Sequence, residues 1–245
     1  MKNATEFAKK FKTFRRKMPS TDIATSKHGA TGEVIYSYLL WNATTKQAKT
    51  AYKKLINASV DLNEIRVNVV SETVELIGAN YPQAFERAKR LRAVLNAIYL
   101  REHSLEVSSL DGAGKREIRE YYETLNGITP FVCNRVIAVQ YGVAAMPVDD
   151  RTLAALITNN LIHEDADIEE TISWLGRQVK ADEVCDVHAR IHAWVSLQPL
   201  RTISNPTTKK VPKKTTATSG NGKKKTAKKT ATKKKATVTK KKKKK

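Results

Sequence analysis

Cysteine is nearly missing from this chain. Two residues, Cys133 and Cys185, occur in 245, so no disulfide framework can hold the fold and a hydrophobic core must do it. Both lie in helix-like stretches, where free buried thiols of a reducing compartment are the expectation. No run of about 18 apolar residues is present, so no membrane-spanning helix is expected. The basic segment from Met1 to Lys17 lacks the apolar stretch of a secretory signal. Alternating apolar and polar residues of the kind that build strands are missing as well, as is any long internal repeat. An intracellular protein built of helices is expected.

Acid is missing from one end only. Of 45 Lys and Arg, 19 fall between Arg201 and Lys245, a stretch without one Asp or Glu; the remaining 26 face 24 acidic residues. The chain therefore divides into a balanced body, residues 1–200, and a polycation, residues 201–245. In the second part Pro, Thr, Ala, Ser, Gly and Lys replace the apolar residues. Such a composition cannot bury enough surface to offset its ordering entropy, so disorder is expected.

The body reads as helices on short loops. Phe7, Phe11 and Phe14 give Thr5 to Lys17 an apolar stripe. Gly32 to Asn42, almost wholly apolar, suggests a buried helix. Ala48, Ala51, Tyr52 and Leu55 mark one face of Thr44 to Ala58. Short pieces follow at Leu62 to Val67 and Glu72 to Ile77, the latter stopped by Gly78. Pro82 to His103 is the longest helix, with Pro in its first turn and Phe85, Ala88, Leu91, Leu95, Ile98 and Tyr99 as its core face. Gly112 to Thr124, Pro130 to Tyr141, Asp149 to Asn159, Asp167 to Val179 and Asp182 to Leu197 complete the set. Asp149, Asp167 and Asp182 suit N-terminal positions, where a carboxylate meets unpaired N–H groups.

Chemistry concentrates between Leu125 and Asp150. Leu125-Asn126-Gly127-Ile128-Thr129-Pro130 opens an apolar helix, and Tyr141-Gly142 followed by small residues and Pro147-Val148-Asp149-Asp150 closes it. A tight Gly turn between helices can aim backbone N–H groups at one anion. Gly127 and Asp149 stand 22 positions apart. This pattern resembles the helix-hairpin-helix motif, with its Gly/Pro loop and Asp, of the endonuclease III-like DNA glycosylase superfamily. The likeness covers about Gly32 to Leu161 and, more loosely, the chain to about Leu197. A second match is Leu39-Leu40-Trp41-Asn42-Ala43-Thr44-Thr45, in which Asn42 stands where the family places a polar residue that enters the DNA stack. Asn42 could equally cap the helix that follows it.

The resemblance implies an all-α, two-lobed glycosylase fold in which the hairpin lobe is a central insertion and a DNA cleft lies between the lobes. It implies phosphate binding by Asn126, Gly127, Ile128 and Thr129, and it makes Asp149 the candidate catalytic acid in base-excision repair. The alternative for Asp149, and for Asp150, is simple helix capping. Three departures qualify the match. The second hairpin Gly is Thr129, which disfavours positive φ, and Pro130 lacks a donor, so a reduced phosphate grip is expected. Phe131 occupies the place of the catalytic Lys of bifunctional members, so no Schiff base can form there and no β-elimination is expected. The four-Cys iron–sulfur cluster is missing. A monofunctional DNA N-glycosylase is the leading expectation, and a non-catalytic DNA-binding or nucleoid-associated protein the rival. No cofactor is expected, and a monomer, cytoplasmic and nucleoid-associated or nuclear in a eukaryote, is anticipated.

Cys185, His188 and His192, with Asp182, could share a helix face as metal ligands. On one straight helix they span about 10 Å, too far to converge on an ion, so packing is the expected role and no metal is assigned. In the terminal segment Lys209, Lys210, Lys213, Lys214, Lys223, Lys224, Lys225, Lys228, Lys229, Lys233, Lys234 and Lys235 lack interleaved aromatics. They can neutralise phosphates but not stack on bases. Nuclear localisation and binding to anionic membrane remain alternatives for this composition; double-stranded DNA is the partner that agrees with the hairpin.

Overall fold

The computed structural model describes residues 3–198; the expected boundary at 200 and all twelve DNA-binding lysines assigned to the basic segment lie outside the described residues. Eleven α-helices occur among the described residues: α1 (Ala4–Lys17), α2 (Gly29–Leu40), α3 (Thr45–Asn57), α4 (Leu62–Val67), α5 (Val70–Ile77), α6 (Ala84–Glu102), α7 (Lys115–Glu123), α8 (Pro130–Tyr141), α9 (Asp150–Thr158), α10 (Ile168–Gln178) and α11 (Val184–Leu197), with a 3-10 turn at Ala181–Glu183. No strand is present among these residues.

Two separate cores make two lobes. The first gathers α2 to α8 around Val34, Leu39, Leu55, Leu95, Tyr122 and Val136. The second joins Phe7 and Phe11 of α1 to α9, α10 and α11 through Leu156, Trp174, Leu175 and Ile191. The middle of the chain thus forms one lobe, and α1 meets α9 to α11 in the other. Helix α8 serves both, because Val136 faces the first core and Ala138 the second.

Local signals set most helix ends. Asp61, Asp149 and Asp167 each accept a backbone N–H from three residues on, and Thr44 forms a capping box with Gln47. Gly142, in the left-handed region, stops α8. Some expectations fail. Pro82 precedes the helix it was expected to start, because Gln83 is the N-cap of α6. Asp182 lies within the 3-10 turn, and α11 has no side-chain cap. Helix α2 begins at Gly29 and ends at Leu40, leaving Asn42 in the following turn. Phe85 and Tyr99, expected in the core of α6, are 66% and 37% exposed.

A buried ion pair fastens the segment before α2. Arg135 on α8 pairs with Glu33 on α2 and bonds the Ala24 carbonyl, while Glu33 also accepts the Ser26 N–H at 2.8 Å. Each charge is thus hydrogen-bonded as well as paired, the condition under which burial is tolerated. No helix of the described residues is long and apolar enough to cross a membrane.

Candidate active site

The end of α2 connects the hairpin to the acid. The Tyr38 hydroxyl donates to the Gly127 carbonyl at 2.7 Å. Four residues later, the Asn42 N–H donates to Asp149 Oδ2 at 2.8 Å. Asn42 lies in the turn just past the end of α2, so one continuous segment, Tyr38 to Asn42, touches both the Gly corner and the carboxylate.

Gly127 is needed where it sits. Its φ is +88°, and a Cβ would stand 3.0 Å from the Ala93 Cβ and 3.2 Å from the Arg90 carbonyl oxygen. The corner therefore rests on α6 with no space for a side chain. Arg90 in turn lies 5.9 Å, and Arg87 5.7 Å, from the Trp41 ring centre. Arg87 is fully buried and bonds the Trp41 and Pro82 carbonyls. Burial lowers its pKa to about 10, with Tyr81 and Asp149 pulling the other way.

The hairpin presents fewer donors than its sequence suggests. The Ile128 N–H turns inward to the Leu125 carbonyl at 3.2 Å, which removes Ile128 as a phosphate donor. Thr129 adopts φ −107°, so no positive φ is demanded there, and its hydroxyl accepts the Val132 N–H with Pro130 as the first helical residue. Thr129 is thus an N-cap, and it is buried. The N–H groups of Asn126, Gly127 and Thr129 have no hydrogen-bond partner among the described residues. Asn126 is exposed and Gly127 half-buried, so these two carry the open donors.

Asp149 is 2% exposed. Its Oδ1 accepts the Thr152 N–H at 2.8 Å, capping α9, while Oδ2 holds Asn42. Asn42, in the left-handed region at φ +54°, a conformation Asn tolerates, donates from Nδ2 to Asp150 Oδ2 at 3.0 Å and accepts the Arg151 N–H at 3.2 Å. Asn42 therefore does not cap α3; Thr44 does. To enter a DNA stack it would first have to release Asp150 and Arg151.

Behind the acid lies α11. Phe131, 2% exposed, meets the His188 ring edge-on at 6.0 Å. Burial pushes His188 well below the usual imidazole range. Burial likewise lowers His192 to about 4, opposed by Asp149 and by a hydrogen bond to the Ala43 backbone. A His192 ring nitrogen lies 3.2 Å from the Thr45 hydroxyl. A cavity of about 70 Å³ is lined by Leu40, Thr45, Lys49, Arg135, His188 and His192 among others. Cys185 donates its S–H to the Ala138 carbonyl at 3.4 Å. Among the described residues no three His, Cys, Asp or Glu side chains gather as metal ligands.

From sequence Tyr38 and Arg87 receive no site role, and His192 only a packing one, because nothing in their local spacing marks a partner about 50 to 150 positions away. What the arrangement can do is specific. Free N–H groups at one point can hold an anion, and a fixed carboxylate can stabilise positive charge or activate water.

No protein-family model matches the chain, and no curated protein matches it. Solved structures do. A trapped endonuclease III–DNA covalent intermediate aligns over 77% of this chain and 81% of its own, with 17% identity and a TM-score of 0.53. A thermostable thymine-DNA glycosylase aligns over 82% and 89%, with 16% identity and a TM-score of 0.54. Helicobacter pylori (H. pylori) 3-methyladenine DNA glycosylase bound to 1,N6-ethenoadenine aligns over 78% and 94%, with 17% identity and a TM-score of 0.51. The chain has the two-lobed, all-helical fold of the helix-hairpin-helix DNA glycosylases.

Proposed function

We propose that this protein binds double-stranded DNA as a monomer and acts in base-excision repair as a monofunctional N-glycosylase, removing a damaged or mispaired base without cutting the strand. The observation that carries this reading is the convergence on α2 and the turn after it, where Tyr38 holds the Gly127 corner and Asn42 holds Asp149. The open N–H groups at Asn126 and Gly127 would seat a phosphate. Asp149 would face the sugar of an extruded nucleotide and offset the charge that grows as the glycosidic bond breaks. Asp149 is covered by the Asn42 turn, so the turn must move for the sugar to reach the carboxylate. Phe131 offers no amine, so the reaction ends at an abasic site.

The twelve lysines from Lys209 to Lys235 would supply affinity without sequence choice. With about 10 phosphates neutralised, log K falls with log salt at a slope near −9. The fold's occurrence in glycosylase structures supports the same partner.

A non-catalytic DNA-binding protein of the same fold is the second reading. It is favoured by the 2% exposure of Asp149 and by the occupation of both its oxygens. A panel of duplexes carrying single damaged or mismatched bases separates the two. The enzyme is expected to leave alkali-labile sites on at least one substrate, with no strand break before alkali and no borohydride-trapped adduct. Binding without product on every substrate would establish the second reading, and a trapped adduct would refute the monofunctional one.

A further inference from the structure

Helix α3 begins three residues after Asn42, which touches both Asp149 and Asp150. Its sequence, TKQAKTAYKKLIN, holds four lysines and no acid. Ala48, Ala51 and Leu55 bury one face, while Lys46, Lys49 and Lys53 line the opposite, exposed face at i, i+3 and i+7. On other helices several exposed cations find acids one turn away: Lys10 with Glu6, Arg90 with Glu86, Arg119 with Glu123 and Arg190 with Asp186. Among the described residues the α3 lysines have no such partner.

What sets the α3 row apart is its place: it starts beside the turn that holds Asp149 and Asp150, and an uncompensated row next to the site points to an anionic partner. Lys49 also lines the cavity that reaches His188 and His192, and with Lys53 and Lys54 it lines a second, open groove of about 360 Å³. The row thus runs outward from the edge of the candidate site.

We propose that Lys46, Lys49 and Lys53 form a phosphate-binding ridge that holds one strand of duplex DNA beside the Asp149 site. The ridge spans about 10 Å along the helix, close to the axial rise of three successive steps along one strand at roughly 3.4 Å each. Three point charges at that spacing neutralise backbone charge and set the direction of the strand, whereas the hairpin fixes a single point. No aromatic side chain lies on the ridge, so it reads backbone rather than base. The inference rests on the DNA-binding reading and adds a site to it.

The test uses the full chain and a labelled duplex of about two helical turns, with anisotropy measured across a salt series. Replacing Lys46, Lys49 and Lys53 together by Gln is expected to make the log K against log salt slope shallower by about 3, one for each phosphate no longer neutralised. The control replaces Lys9, Lys12 and Arg16, an exposed row of equal charge and spacing on α1, and is expected to leave the slope unchanged. Equal losses in both variants, or no loss in the α3 variant, would overturn the ridge. Should the α3 variant fail to fold, Lys49→Cys against a duplex carrying a thiol-tethered phosphate is expected to crosslink faster than Lys12→Cys, and equal rates would contradict the proposal. Vesicles containing phosphatidylserine are expected to bind both triple variants alike; dependence on the α3 lysines there but not on duplex would assign the ridge to membrane and refute it. If the wild type ignores duplex altogether, the DNA reading falls first; if it binds duplex with a slope indifferent to α3, only the ridge falls.

Discussion

The hairpin and the acid share one supporting segment, α2 and the turn after it, yet they stand in opposite states. At the Gly127 corner the N–H groups of Asn126 and Gly127 have no hydrogen-bond partner among the described residues. At Asp149 both carboxylate oxygens are taken, and the side chain is 2% exposed. The proposed binding element is open; the proposed chemical element is covered. The difference assigns an order to events. On the proposed function, DNA would dock without rearrangement, whereas base removal would require the Asn42 turn to lift from Asp149, Asp150 and Arg151. A base would then be excised only after the strand has settled, a gating step of the kind that often limits turnover.

Attacking the open side should give the larger effect. Gly127→Ala places a methyl group against the Arg90 carbonyl and Ala93 at a φ of +88°, a strain of roughly 1–3 kcal/mol. The urea midpoint is expected to fall accordingly and duplex affinity with it. Gly114→Ala, with nothing within 4 Å of its Cβ and an ordinary φ, is expected to leave both near wild type. Equal behaviour of the two variants would show that the corner is not a fixed element.

The covered side has a milder handle in pH. His188 and His192 are held below their ordinary range by burial, His192 to about 4. The unfolded chain binds protons to these rings near the ordinary value of 6.5, before the folded chain does. Stability is therefore full above about pH 6.5 and declines as pH falls toward 4. Urea unfolding between pH 7.5 and 4.5 is expected to show this decline, and His192→Gln is expected to flatten it. A decline of the same size in the variant would remove His192 as its source.

Much of the fold was legible in local chemistry. Asp149 and Asp167 mark helix starts, Pro130 and Gly142 bracket α8, and the apolar stretches separate the two cores. The 22-residue interval from Gly127 to Asp149 located the candidate site, and the fold comparison agrees with the reading that this interval prompted. What stayed illegible depends on neighbours distant in sequence. The inward turn of the Ile128 N–H, the hold of Asn42 on Asp149 and the Arg135–Glu33 pair across 102 positions leave no trace in spacing. Phe85 shows the same limit from the other side. Its position fits the apolar periodicity of α6, yet no element covers it and it is 66% exposed. Thr129 departs from the hairpin pattern in sequence, and the structure gives the departure a purpose as the cap of α8.

The central claim is that Asp149 does the chemistry while the hairpin does the holding. Asp149→Asn keeps an oxygen to cap α9 and removes the negative charge. On whichever lesion duplex the wild type processes, this variant is expected to bind with wild-type affinity and to produce at least about a hundredfold fewer alkali-labile sites, the lower range for one catalytic acid–base or electrostatic group. Product formed at the wild-type rate by Asp149→Asn would contradict the account.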